Sequence, residues 1–147
     1  MWGLAAVRRA WFLPWMAQAF TVLYVEDDPL IREAFVKLLS SKGFRIVPTD
    51  DGHAALRILA EEHVDVLFTD IAMPGLSGVE LAKQAKRLRP NLKVIFATGH
   101  AVRAHEAARI GKLLIKPIRA QQIEVEIREL VGVLSANAGD PSMGPGG

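Results

Sequence analysis

Leu67-Phe68-Thr69-Asp70-Ile71-Ala72-Met73-Pro74-Gly75 is an apolar run that stops on one carboxylate and then turns. Three more stretches repeat the form. Val22-Leu23-Tyr24-Val25 runs into Glu26-Asp27-Asp28, Val94-Ile95-Phe96-Ala97 into Thr98-Gly99, and Leu113-Leu114-Ile115 into Lys116-Pro117. Short apolar runs bounded by helical patterns read as strands buried on both faces, the habit of a parallel sheet.

Around these runs five strand–helix units fit. Strands are expected at 21–25, 45–48, 64–69, 93–97 and 112–115. The helix over 29–42 sets Leu30, Ala34, Leu38 and Leu39 on one face, and Gly43 stops it. The helix over 52–62 gathers Ala55, Leu56 and Leu59. The one over 79–88 gathers Leu81, Ala82 and Ala85 before Pro90 ends it. The last, over 119–134, presents Ile123, Ile127, Leu130, Val131 and Leu134. Strands alternating with helices imply a parallel sheet with helices on both faces. The connection from Thr98 to Lys116 is short for a crossover, which leaves its helix (102–109) about two turns of 3.6 residues each.

Ligands of such sheets gather beyond the carboxyl ends of the strands. Three acids, a lone acid, a hydroxyl and an amine therefore meet at one edge, a set suited to holding a divalent cation and placing a phosphoryl group on a carboxylate. Each residue also has a plain structural reading. Asp28-Pro29 is an N-cap followed by proline in the first helical position. Asp70 alone fits a turn, Thr98 alone fits a cap, and Lys116 alone fits a solvated surface lysine. Glu26 and Asp27 resist such readings, because two like charges after a buried strand raise the cost of ionising both. A bound cation relieves that repulsion. Oxygen donors without His or Cys favour Mg²⁺ over zinc.

The chain has 147 residues, half of them hydrophobic, enough for one domain with a full core. It has no cysteine, which excludes disulfides and thiolate metal sites. Arg8 and Arg9 account for the whole excess of 18 basic over 16 acidic residues, so the remainder is balanced and nothing electrostatic argues for nucleic acid. Residues 1–20 read as an N-terminal extension. Its apolar stretches, broken by Arg8-Arg9 and Pro14, fall short of the roughly 18 residues of a spanning helix, and no cleavage-site pattern follows. Met16 would make a natural start, and an amphipathic contact is the competing reading of the same segment. Residues 21–135 form the expected domain. Residues 136–147, rich in Gly and Pro, read as a disordered tail.

VLYVEDDPLIRE (22–33), LFTDIAMPGLSGVEL (67–81), VIFATG (94–99) and LLIKP (113–117) together make residues 21–134 resemble the receiver domain of two-component response regulators. The resemblance implies a flavodoxin-like (CheY-like) α/β fold, with five parallel strands in the order 2-1-3-4-5. It implies that Asp70 accepts the phosphoryl group, that Glu26 and Asp27 are metal acids, and that Thr98 and Lys116 are the switch hydroxyl and the phosphate-binding lysine. Mg²⁺ would then be held by Glu26, Asp27, Asp70 and the backbone carbonyl of Ala72, with Glu26 acting through water. Implied partners are a sensor histidine kinase or histidine phosphotransfer protein and a downstream protein, in the cytoplasm, with no membrane, no nucleic acid and no enzymatic role.

Phe96-Ala97-Thr98-Gly99 is similar to a subgroup of stand-alone receivers, and the residues after 135 leave no room for an output domain in this chain. Two features depart from the family pattern: Leu113 stands where an aromatic is usual, and the fourth helix is short. His100 replaces a frequent aromatic and reads either as a phosphate partner or as an exposed loop residue. His53, His63 and His105 read as surface residues. Competing functions are an unphosphorylated docking module, a phosphate sink in a phosphorelay, and an aspartyl-phosphate phosphatase. Ala72 argues against the last, because such enzymes place a second acid there.

Overall fold

The computed structural model describes residues 20–99 and 103–137. Among these residues five strands alternate with five helices: β1 (Thr21–Val25), α1 (Pro29–Ser41), β2 (Arg45–Thr49), α2 (Gly52–Glu61), β3 (Val66–Asp70), α3 (Gly78–Leu88), β4 (Lys93–Thr98), α4 (Ala104–Ile110), β5 (Lys112–Ile115) and α5 (Ala120–Asn137). All the pairings are parallel, and the strand order is β2-β1-β3-β4-β5. The expected 2-1-3-4-5 flavodoxin-like sheet is the observed one.

Side chains of a strand alternate between its two faces, so the sheet divides the core. Val22, Tyr24, Val66, Phe68, Ile95, Ala97 and Leu114 pack on one side with Leu39 of α1 and with Ile123, Ile127 and Val131 of α5. Leu23, Val25, Leu67, Val94 and Phe96 pack on the other with α2, α3 and α4. α1, α2 and α3 each begin where a small polar side chain satisfies orphan amides. Asp28 accepts from Leu30 and Ile31, Asp51 from His53 and Ala54, and Ser77 from Glu80.

Three elements differ from expectation by more than one residue. β3 spans Val66–Asp70 rather than 64–69, because Asp65 spends its carboxylate on the amide of Thr21 (2.9 Å) at the entry to the sheet. The helix expected over 102–109 begins at Ala104, and its first part lies outside the described residues, as do His100 and Val102. α5 runs to Asn137, past the expected end at 134. Residues 1–19 and 138–147 also lie outside.

The expected inner face of α1 is a larger correction. Leu39 is buried, but Leu30 is 78% and Leu38 47% exposed. Phe35 and Val36 turn inward instead, and the Phe35 ring meets Tyr24 at 5.9 Å and Phe68 at 6.3 Å. Apolar residues occupy two adjacent faces of this helix, and the aromatic contacts across the sheet decide between them.

α4 is seven residues long and buries one of them, Ala107. It starts from Arg103 in the left-handed region (φ 61°). The Arg103 guanidinium donates to Ser77 Oγ (2.9 Å), Glu80 (2.7 Å) and Glu106 (2.8 Å), and Lys83 joins Glu106 to close the cluster.

The turn after β3 depends on two glycines. Gly75 holds φ 77°, which a side chain would strain. At Gly78 an added Cβ would lie 2.0 Å from the carbonyl oxygen of Asp70. Gly78→Ala must therefore push α3 away from the end of β3, lowering stability by about 1–3 kcal/mol. Gly132→Ala on α5, where a Cβ meets nothing within 4 Å, should raise it by about 0.5–1 kcal/mol. Urea unfolding midpoints check both signs.

Candidate functional site

Strand alternation continues beyond the strand ends, where the amide of Glu26 bonds to the Thr49 carbonyl (3.1 Å) and that of Lys116 to the Thr98 carbonyl (2.8 Å). Glu26 thus follows Tyr24, Asp70 follows Phe68, and Lys116 follows Leu114, all on the α1/α5 side of the sheet. Thr98 follows Phe96 on the other side.

Carboxylate oxygens of Glu26, Asp27 and Asp70 lie within 4.8 Å of one another. Glu26, Asp70 and Thr98 are buried, whereas Asp27 is exposed. Lys116 Nζ donates to Asp70 Oδ2 at 2.7 Å. The Asp28 amide donates to Glu26 Oε2 (3.2 Å), and the Arg32 guanidinium donates to the Glu26 carbonyl (2.8 Å), so the acidic turn is tied back onto α1. Burial pushes the Glu26 carboxyl above the ordinary range, and the Asp27 side chain adds to the rise. Tyr24, beside these acids, is pushed upward by burial and then by the charges of Glu26 and Asp70.

A cavity of about 500 Å³ opens at this edge. Glu26, Asp70 and Lys116 form its polar side. Tyr24, Ile31, Phe35, Phe68 and Ile118 are among the residues of its apolar side.

The arrangement suits an oxygen-ligated divalent cation. Three carboxylates in mutual reach, one of them kept from ionising easily, face one ammonium, and a cation added there removes the repulsion.

The response regulator receiver domain model matches residues 22–128. The chain belongs to the response regulator receiver domain family. It is 37% identical to the response regulator receiver protein CpdR of Brucella abortus over 114 residues, 75% of this chain and 95% of that protein. It is 31% identical to the sensor kinase CckA of the same organism, over 76% of this chain and 12% of that kinase. Among solved structures, a receiver domain protein from Clostridium thermocellum is 26% identical with a TM-score of 0.74, covering 80% of this chain and 98% of that one. The response regulator TrrA of Thermotoga maritima, solved with Mg²⁺ and BeF, is 25% identical with a TM-score of 0.70, covering 76% and 98%. Receivers are signalling modules of two-component systems, and no helix among the described residues is long and apolar enough to cross a membrane.

In this receiver the expected site residues fall in two groups. Glu26, Asp27, Asp70 and Lys116 come together, while Thr98 ends the neighbouring strand β4 and faces away from Tyr24 and Phe68. Ala72 stands in the turn after β3. Asp28 is the cap of α1, as its sequence context suggests. His53 and His105 are exposed, and His63 is an exposed partner of Asp65. Sequence reasoning missed the participation of Tyr24, Phe35 and Phe68. The signal was available in part, because Tyr24 and Phe68 each stand two residues before a site acid.

Two measurements separate the roles of the acids. Asp28→Ala should cost about 1 kcal/mol of stability through the lost cap while sparing Mg²⁺ affinity, and Asp27→Ala should show the reverse. A larger affinity loss for Asp28→Ala would overturn this placement. Glu26 holds its proton more tightly in the folded state than in the unfolded chain. Its burden on stability is therefore full at neutral pH and fades as pH falls through its raised folded value toward the unfolded value of about 4.3. Without divalent cations, Glu26→Gln should be the more stable protein at pH 7, and its advantage over wild type should shrink on acidification.

Proposed function

We propose that this receiver stands alone and accepts a phosphoryl group on Asp70 from a sensor histidine kinase or histidine phosphotransfer protein, then signals by phosphorylation-dependent protein contact. The observation that carries the reading is the meeting of three carboxylates with the Lys116 ammonium at the carboxyl edge of the sheet. The near-complete coverage of CpdR, a receiver protein, supports the stand-alone form, as does the similarity of Phe96-Ala97-Thr98-Gly99 to stand-alone receivers.

On this reading Glu26, Asp27, Asp70 and the Ala72 carbonyl would hold Mg²⁺. Bound there, the ion would neutralise charge on the phosphoryl oxygens, which matters because positioning and electrostatics dominate phosphoryl transfer. An Asp70 oxygen attacks phosphorus as the P–N bond of the phosphohistidine breaks, and the imidazole takes up a proton. Lys116 trades its bond to Asp70 Oδ2 for one to a phosphoryl oxygen and supplies a point charge. Thr98 closes on the phosphoryl group from the neighbouring strand and carries the change to the opposite face of the sheet. Leu113, partly buried beside β4, leaves that movement without the usual aromatic follower.

Phosphotransfer from purified kinases, or from acetyl phosphate with Mg²⁺, should add one phosphoryl group to the wild type and none to Asp70→Asn. Undiminished labelling of Asp70→Asn would remove Asp70 from this role.

A further inference from the structure

The cavity at the Asp70 edge is amphiphilic in a way that phosphate acceptance does not require. On one side lie Glu26, Asp70 and Lys116. On the other, the Tyr24 and Phe68 rings stack at 4.9 Å with 19° between their planes, and Phe35 stands tilted against Tyr24 and edge-on to Phe68. Ile31 and Ile118 frame this wall from α1 and from the segment after Pro117. The small residue Ala97 pairs with Asp70 across β3 and β4, so no large side chain fills the space beside the carboxylate. At about 500 Å³ the cavity falls within the range of small-molecule sites, which are mostly apolar with a few placed polar groups.

We infer that the cavity takes the acyl group of an aromatic acyl phosphate, so that such compounds phosphorylate Asp70 in preference to acetyl phosphate. The inference rests on Asp70 being the acceptor and adds a class of small-molecule donor to that reading. The two ends of the ligand match the two sides of the site. The phosphoryl group meets Lys116 and a cation held by the acids, and the ring enters among Tyr24, Phe35 and Phe68, where offset and edge-on packing are both open to it. An acetyl methyl group would leave most of this apolar surface wet. In the transfer an Asp70 oxygen bonds to phosphorus while the bond from phosphorus to the acyl oxygen breaks. The electron pair leaves with the aromatic carboxylate, and no proton or further reactant is needed.

The test compares benzoyl phosphate with acetyl phosphate as donors at equal concentration with Mg²⁺, following Asp70 phosphorylation by intact mass. It is run on wild type, Ile31→Ser, Ile118→Ser and, as a remote control on α3, Leu88→Ser. Burial of a phenyl ring predicts a benzoyl-to-acetyl rate ratio about tenfold higher in the wild type than in either cavity variant. The Leu88→Ser ratio should equal that of the wild type. Intrinsic donor reactivity cancels in this comparison. A second readout needs no turnover: by NMR titration with Mg²⁺, phenylphosphonate should bind the wild type about tenfold more tightly than methylphosphonate, with shifts at Tyr24, Phe35 and Phe68. Equal donor ratios in all four proteins, with Asp70 normally labelled, would overturn this inference alone. Labelling by neither donor would overturn the acceptor reading and this one with it. Equal phosphonate affinities would show that the cavity does not take the ring.

Discussion

A strand can point each side chain to only one of two faces, and that alternation governs where the chemistry of this receiver lies. Tyr24, Phe68 and Leu114 face α1 and α5, so the residues two places on, Glu26, Asp70 and Lys116, arrive on the same side. The parallel register then brings them to one edge, with Val25 level with Thr49 and Thr69, and Asp70 level with Ala97. A shift of one residue in any of these strands would send its polar end to the opposite face and expose its apolar set. The core thus fixes the site, because the register that buries the aromatic residues is also the one that assembles the acids.

That placement has an electrostatic penalty. Glu26 is buried, and its loss of water, with the Asp27 side chain and the Asp70 charge adding to it, raises its proton affinity. The Lys116–Asp70 pair offsets part of it, and the hydrogen bonds from the Asp28 amide and Arg32 hold the acidic turn in place. Concentrating charge where water is scarce destabilises the free protein but strengthens its hold on an oppositely charged ligand, the usual trade at a functional site.

Most of the architecture was legible from residues because four of the five strands are short, nearly unbroken apolar runs and α1, α2 and α3 have matching caps. The sheet order came from the resemblance to receivers. The polar edge was legible because Glu26, Asp70, Thr98 and Lys116 each close such a run. The inner face of α1 was not, since Leu30, Ala34 and Leu38 form as regular a row as Phe35 and Leu39. Only the rings of Tyr24 and Phe68 across the sheet choose between the rows. The cavity was hidden for a related reason. It arises from the small size of Ala97 next to Asp70 and from the spacing of α1 and the Pro117–Ile118 segment, which are relations between distant parts of the chain.

The seat of α4 follows a different rule from the rest of the molecule. One buried alanine and the partly buried Ile110 seat it on the core, and a cluster of four half-exposed charges, Lys83 and Glu80 facing Arg103 and Glu106, fastens it to α3. Charges that reach water are screened by dissolved ions over about 8 Å at physiological salt, so this helix is held by a contact whose strength the surroundings set. Such a fastening also needs no shape match between its partners. Over evolutionary time, single exchanges of charge among these four positions can re-tailor this surface while the jigsaw of the core stays as it is.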